Sequence, residues 1–216
     1  MSKHSFKTQG FTLIELVITM AIAGILVSMA IPSFNSILNS SRLTNYANDF
    51  VGALNLARSE AVRRGVSVTV RNIDNYSYTH FGNIAFSGVN WEDGWDVFTD
   101  IDDDGKYEVG DVLIRTYVAL NPVYTLNPVY TLRGNNNFAN FIRYKPLGTS
   151  NNIGSFVICN NSDGLGIPKA NSSRLIIVDN IGRIRMGLDI NKDGIPNTDN
   201  TASSATNITS CTPPFS

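Results

Sequence analysis

Apolar and polar positions fall into three successive patterns along the chain. From residue 11 to residue 31, twenty-one positions are almost all apolar and show no polar face. As a helix rising about 1.5 Å per residue, such a run crosses a hydrocarbon core of roughly 30 Å. Glu15 breaks it one turn in, where a carboxylate costs on the order of 2.5 kcal/mol or more unless something pairs with it. From about residue 33 the helical period continues but becomes amphipathic. Leu43, Tyr46, Ala47, Phe50, Val51, Leu54, Ala57, Ala61 and Val62 recur at three- and four-residue steps, with Arg42, Asn45, Asp49, Arg58 and Arg63 largely on other faces. Gly65, after Arg63 and Arg64, is a helix stop. The pattern predicts one helix of about fifty residues.

Beyond Gly65 the period drops to two. Residues 66–71, 76–81, 95–99, 112–118, 141–144, 155–159, 174–178 and 182–186 are short β-branched and aromatic runs separated by Gly, Asn, Asp and Pro. This predicts antiparallel strands packed on the helix, an α+β fold. The hexapeptide Asn-Pro-Val-Tyr-Thr-Leu occurs twice in tandem, at 121–126 and 127–132, and reads as a lengthened loop or hairpin.

Charge places these parts relative to a membrane. Lys3, His4 and Lys7 precede the apolar run, so the positive-inside bias keeps residues 1–10 in the cytoplasm and sends the rest across. A cleaved secretory signal does not fit, because the run is too long and no A-x-A site follows. The domains expected are a leader at 1–10, a transmembrane segment at 11–32, the amphipathic half of the helix at 33–65 and a β-rich head at 66–216. Two cysteines, Cys159 and Cys211, then face an oxidising compartment and are expected to form a disulfide tying the Ser/Thr/Asn/Pro-rich tail to the head. Two unpaired thiols are the alternative.

The chain carries no recognisable enzyme motif. Beyond the leader the sole histidine is His80, and there is no Gly-x-Ser-x-Gly turn, His-Glu-x-x-His motif or phosphate-binding glycine loop. Residues 100–111 are acidic: Asp100, Asp102 and Asp104 alternate before Gly105, and Asp111 takes the twelfth place. Six to eight oxygens on one curled loop suit Ca²⁺, although the last ligand of such loops is normally Glu. A solvated Asp-rich hairpin turn is the competing reading. Residues 189–194 repeat the D-x-N-x-D-G spacing with fewer carboxylates. Of the 17 basic residues, 15 remain against 18 acidic ones once Lys3 and Lys7 are set aside, so any nucleic-acid contact must be a local patch.

The segment Lys7-Thr8-Gln9-Gly10-Phe11-Thr12-Leu13-Ile14-Glu15 and the apolar run after it resemble the processing site of type IV prepilins and type II secretion pseudopilins. The resemblance implies cleavage by a prepilin peptidase between Gly10 and Phe11 and N-methylation of Phe11. It also implies that Glu15 neutralises the amino terminus of a neighbouring subunit during filament assembly, and that Pro32 loosens the helix. Within the head, residues 57–65, Val68-Thr69-Val70, residues 93–98 and Gly182-Arg183-Ile184-Arg185 are similar, in that order, to the FimT/GspH group of minor pilins and pseudopilins. One position departs: Arg71 stands where the group often has cysteine. The resemblance implies a pilin fold, assembly with other pilins at the bacterial inner membrane with the head in the periplasm, and then a pilus or pseudopilus.

In FimT-like proteins a Gly-Arg-x-Arg element is associated with DNA binding during natural transformation. On a strand Arg183 and Arg185 would share one side, with Ile184 toward the core, and Lys169 and Arg174 could join them. Two guanidiniums on one face suit the phosphates of double-stranded DNA, and such binding would be weak, sequence-independent and salt-sensitive. Solvated or ion-paired arginines are the alternative. Three functions therefore stay open: a type IV minor pilin that captures DNA, a GspH-like secretion pseudopilin, and a minor pilin that only starts or tips the filament.

Overall fold

The computed structural model describes residues 11–73, 90–129, 138, 140–197 and 206–211, with the backbone alone described at 30–33, 35, 36 and 129. The leader, His80, the 76–81 run and residues 130–132 of the second hexapeptide lie outside the described residues. Helix α1 spans Leu13–Arg64 and remains helical through Pro32. Thr12 caps its start: the Glu15 amide donates to Thr12 Oγ1 at 3.3 Å and the Leu16 amide to the Thr12 carbonyl at 3.1 Å. Gly65 ends it at φ +69°, donating to the Ala61 carbonyl, in the left-handed conformation that favours glycine.

The chain forms two compact units, residues 1–39 and 40–216. In the second, eight strands are described: β1 (Val68–Asn72), β2 (Gly94–Thr99), β3 (Leu113–Val118), β4 (Tyr124–Val129), β5 (Phe141–Tyr144), β6 (Gly154–Asn160), β7 (Ser173–Val178) and β8 (Ile184–Met186). They make two four-stranded antiparallel sheets, ordered β3-β2-β1-β5 and β4-β6-β7-β8. A 3-10 turn, Trp91–Asp93, precedes β2.

One core joins the sheets to the helix. Leu43, Ala47, Phe50, Leu54, Ala57 and Ala61 form the buried stripe of α1. Alternate strand residues meet it: Val68 and Val70, Trp95 and Val97, Ile142 and Tyr144, Phe156 and Ile158, Ile176 and Val178. Alanines on the stripe let the helix lie close, and Phe50 fills the centre with edge-on contacts to Trp91, Trp95 and Phe156 at 4.9–5.5 Å. A smaller cluster, Val157, Cys159, Leu175, Ile177, Ile208 and Cys211, lies on the opposite side of β6 and β7. Every described core residue lies at or after Leu43, so the second unit carries its own core.

The tandem hexapeptide is corrected by this fold. Residues 121–123 form a turn, but Tyr124, Thr125 and Leu126 of the first copy and Asn127, Pro128 and Val129 of the second form strand β4 on β6, so the loop expectation fails over 124–129. Among the described residues β4 is paired on one side only, with β6, which leaves room for Pro128. Tyr124 and Leu126 face the core, while Asn127 faces the tail and donates to the Cys211 carbonyl at 2.8 Å.

Candidate functional site

The first region of interest is the start of α1. Every described side chain from Phe11 to Met29 is exposed, among them Phe11 at 80%, Leu13 at 81% and Met29 at 70%. The hydroxyls inside the run turn back on the helix: Thr19 donates to the Leu16 carbonyl at 2.8 Å and Ser28 to the Ile25 carbonyl at 2.7 Å. Such bonds satisfy a hydroxyl without water, as an apolar medium demands. Glu15 sits three residues after the Thr12 cap, in the first turn, where a carboxylate favourably meets the positive end of the helix dipole. Among the described residues no helix is long and apolar enough to cross a membrane, the described side chains of this run ending at Met29. Spanning by residues 11–32 is thus not carried by the structure itself.

The second region is the acidic loop between β2 and β3. Oxygens of Asp100, Asp102 and Asp104 lie within 4.8 Å of one another. Asp111 is not in this group; its carboxylate accepts from the Ile101 amide at 3.2 Å and the Glu108 amide at 3.0 Å and closes the loop instead. Asp100 is fully buried and accepts from the Thr69 hydroxyl at 2.6 Å and the amides of Asp104 and Gly105 at 3.1 Å. The Arg143 guanidinium stands 3.5 Å away. Burial pushes the Asp100 carboxyl above its usual range, partly offset by Thr69 and Arg143. Lys106 occupies both oxygens of Asp104. Two cationic side chains and several amides thus already engage Asp100 and Asp104, and the three convergent carboxylates, without Asp111, supply fewer oxygens than the six to eight that suit Ca²⁺.

The second acidic loop has the same backbone design. Asp189 accepts from the amides of Asp193 and Gly194, as Asp100 does from Asp104 and Gly105. Asp103 and Lys192 take positive φ at matching places, followed by Gly105 and Gly194. Here Asn191 and Asn207 both donate to the Asp193 carboxylate, at 2.8 and 2.5 Å, so the loop holds the tail. The hydrogen bonds from Asn207 draw the Asp193 carboxyl below its usual range.

The third region is the proposed cationic patch, and the structure does not assemble it. Gly182 and Arg183 belong to the β7–β8 turn rather than to a strand, and Gly182 takes φ +74°. Asp179 organises that turn: its carboxylate accepts from the Arg183 amide at 2.8 Å and lies 3.4 Å from the guanidinium. Arg185 is on β8 opposite Ile177, exposed and without an ion pair among the described residues, while Ile184 packs on the core as expected. Lys169 is ion-paired with Asp163. Arg174 turns the other way, toward α1, where it reaches Ser40 and Thr44 hydroxyls at 3.3 Å and the Ser173 carbonyl at 2.8 Å. Burial lowers its pKa. The expectation that Arg174 joins Arg183 and Arg185 is therefore corrected: its neighbours Ile176 and Val178 face the helix, and period two puts Arg174 on their side.

The expected disulfide is present. Cys159 and Cys211 are bonded with Cα atoms 5.8 Å apart, and the Cys211 amide donates to the Gly166 carbonyl at 2.7 Å. Arg71, at the position where the resembling group often has cysteine, donates to the Gly105 carbonyl at 2.7 Å and holds the acidic loop. Sequence reasoning missed Arg58, whose Nε donates to the Gly148 carbonyl and Nη2 to the Ile181 carbonyl, each at 3.0 Å. No signal marks it, because its partners are backbone groups 90 and 123 residues away.

Comparison with known proteins adds two matches by family. The family described as type II transport protein GspH matches residues 46–182, and the prokaryotic N-terminal methylation motif matches residues 5–31. Among solved structures, the type IV minor pilin FimU of Pseudomonas aeruginosa (PAO1) is similar with a TM-score of 0.50 at 17% identity, over 80% of this chain and 96% of that one. A second FimU crystal form gives a TM-score of 0.47 at 18% identity, over 79% of this chain and all of that one. The minor pseudopilin EpsH of the Vibrio cholerae Type 2 Secretion System gives 0.43 at 12% identity, over 67% and 95%. No curated protein matches. The FimU likeness establishes a pilin-like fold, a long N-terminal helix with antiparallel sheets.

Proposed function

The chain belongs to the family of type II transport protein GspH, and from that premise we propose that it is a minor pilin working in a type IV pilus. A prepilin peptidase cuts the precursor between Gly10 and Phe11, and Phe11 is methylated. Residues 11–32 first anchor the chain in the bacterial inner membrane, with the head in the periplasm, and then pack among other pilins. No catalytic step is assigned to it, and no cofactor.

One observation carries this reading: from Phe11 to Met29 every described side chain is exposed, nearly all are apolar, and the hydroxyls are satisfied internally. At about 25 cal/mol per Å² of apolar surface, leaving such a segment in water is costly, so it is covered by lipid or by sibling helices. The methylation motif at residues 5–31 supports the filament among those outcomes. Mass spectrometry of the protein from sheared filaments tests it. A chain beginning at N-methylated Phe11 is expected; a chain retaining residues 1–10 in the mature fraction contradicts it.

The family description favours a second reading, a pseudopilin of type II secretion. Deleting the gene separates the two, since loss of pili supports the first and loss of protein secretion with intact pili supports the second. DNA contact is retained in the proposal only at Arg183 and Arg185, both exposed on the β7–β8 hairpin. Titration of the protein with duplex DNA at two salt concentrations checks it, and binding unchanged by Arg183→Ala with Arg185→Ala removes it.

A further inference from the structure

We propose that the head pairs tip to tip with a second copy of itself, through two adjacent patches of opposite charge. Its residues all lie within the unit 40–216, and it stands apart from the filament reading.

The first patch is built on the Arg58 clasp. By bonding the Gly148 and Ile181 carbonyls, Arg58 locks the β5–β6 and β7–β8 turns onto the end of α1. The two turns touch through backbone: a Cβ at Gly182 would lie 2.0 Å from the Gly148 carbonyl oxygen, and one at Gly148 would lie 3.3 Å from Val62 Cγ2. Turn tips normally carry polar residues. Here they carry Leu147, 88% exposed, and Ile181, with exposed Val62 beside them. Exposed Lys145, Arg63 and Arg183 rim this apolar centre. Arg63 and Arg183 have carboxylate partners, whereas the Lys145 ammonium has none among the described residues.

The second patch is the rim of the acidic loop. By holding the Ile101 and Glu108 amides, Asp111 gathers Ile101, Val109 and Val112, of which Val109 is 94% exposed. Asp102, Asp103 and Glu108 belong to the same loop and outnumber exposed Lys106 there, Asp103 lying 3.5 Å from the Arg143 guanidinium. Thr99 and Tyr144 both stand opposite Val68, so the loops that follow them leave the same end of the sheet. Each head thus offers, at one end, an apolar centre with a cationic rim and an apolar centre with an anionic rim. A two-fold axis between copies sets each patch on its opposite, burying both apolar centres and pairing Lys145 with Glu108 and Asp102 twice.

The test is cross-linking of the full chain in detergent micelles. A chain with Leu147→Cys is mixed with a differently tagged chain with Val109→Cys and oxidised mildly; the native cysteines are already bonded and buried. The mixed disulfide is expected to exceed the product from a control pair in which Leu165→Cys replaces Leu147→Cys. Adding Lys145→Glu to both chains should cut its yield roughly tenfold, because symmetry doubles each exposed pair. Adding Glu108→Lys as well should restore it. A mixed product no greater than the control, or one indifferent to Lys145→Glu, overturns the proposal.

Discussion

The two halves of α1 have similar lengths and opposite fates. Between Ser40 and Arg64 the helix is amphipathic, and Leu43, Ala47, Phe50, Leu54, Ala57 and Ala61 vanish into the core of the head. Between Leu13 and Met29 it is apolar all round, and no described side chain is covered. A helix with one apolar stripe is made for its own domain; one without a polar face is made for another medium or another molecule. The difference separates residues that build the head's core from residues whose apolar surface the described chain leaves uncovered.

Substitutions should respect that division. Phe50→Ala empties the aromatic centre and is expected to cost about 3–5 kcal/mol of head stability, read by thermal or urea denaturation. Ile22→Ala, equally apolar, should leave the head's unfolding transition where it was. A shift comparable with that of Phe50→Ala would show that the first half supports the head and would break the comparison.

Cys211→Ser comes next. The bridge closes a separation of 52 residues, and its loss is expected to cost about 2–4 kcal/mol. Hydrogen exchange should localise the change to residues 206–211 and to the Val157, Leu175, Ile177 cluster they cover. Arg58→Ala removes two bonds to carbonyls and should cost about 1–3 kcal/mol. Arg58→Lys, lacking the fork that reaches both turns, should recover little of it.

A smaller effect is expected with pH. Hydrogen bonds from Arg63 and Arg64 hold the Glu60 carboxyl down from 4.5 to about 2. Because the folded value lies below the unfolded one, the contribution is present above pH 4.5 and fades as pH falls toward 2. Glu60→Gln should flatten that part of the stability profile and leave neutral pH almost unaltered. Calcium should do least: with Arg143 and Lys106 already at the carboxylates of Asp100 and Asp104, 1 mM-scale Ca²⁺, about the level outside cells, is expected to leave the melting temperature unmoved. A rise abolished by Asp102→Asn would reverse that reading.

Much of this was legible in the sequence because it is periodic. The helix, its stop at Gly65 and the strands at 95–99, 141–144, 155–159 and 174–178 follow from three- to four-residue and two-residue patterns, and the Cys159–Cys211 bridge from compartment and parity. A repeated Asn-Pro is a turn signal, yet β4 accommodates Pro128, being paired on one side only among the described residues. The patch at Arg183 failed for another reason. Alternation puts Arg174 on the side of Ile176 and Val178, but both faces of β7 are apolar, with Leu175 and Ile177 on the other, so the pattern does not tell which one meets the helix. Ion pairs across long separations, such as Arg143 with Asp100, leave no local trace.

The account turns on whether residues 11–29 are covered by something outside their own chain. Membranes from the native host, washed in alkaline carbonate, should retain the full chain in the pellet, while residues 40–216 expressed alone with a secretion signal should be soluble. A full chain that stays in the supernatant as a detergent-free monomer would contradict it.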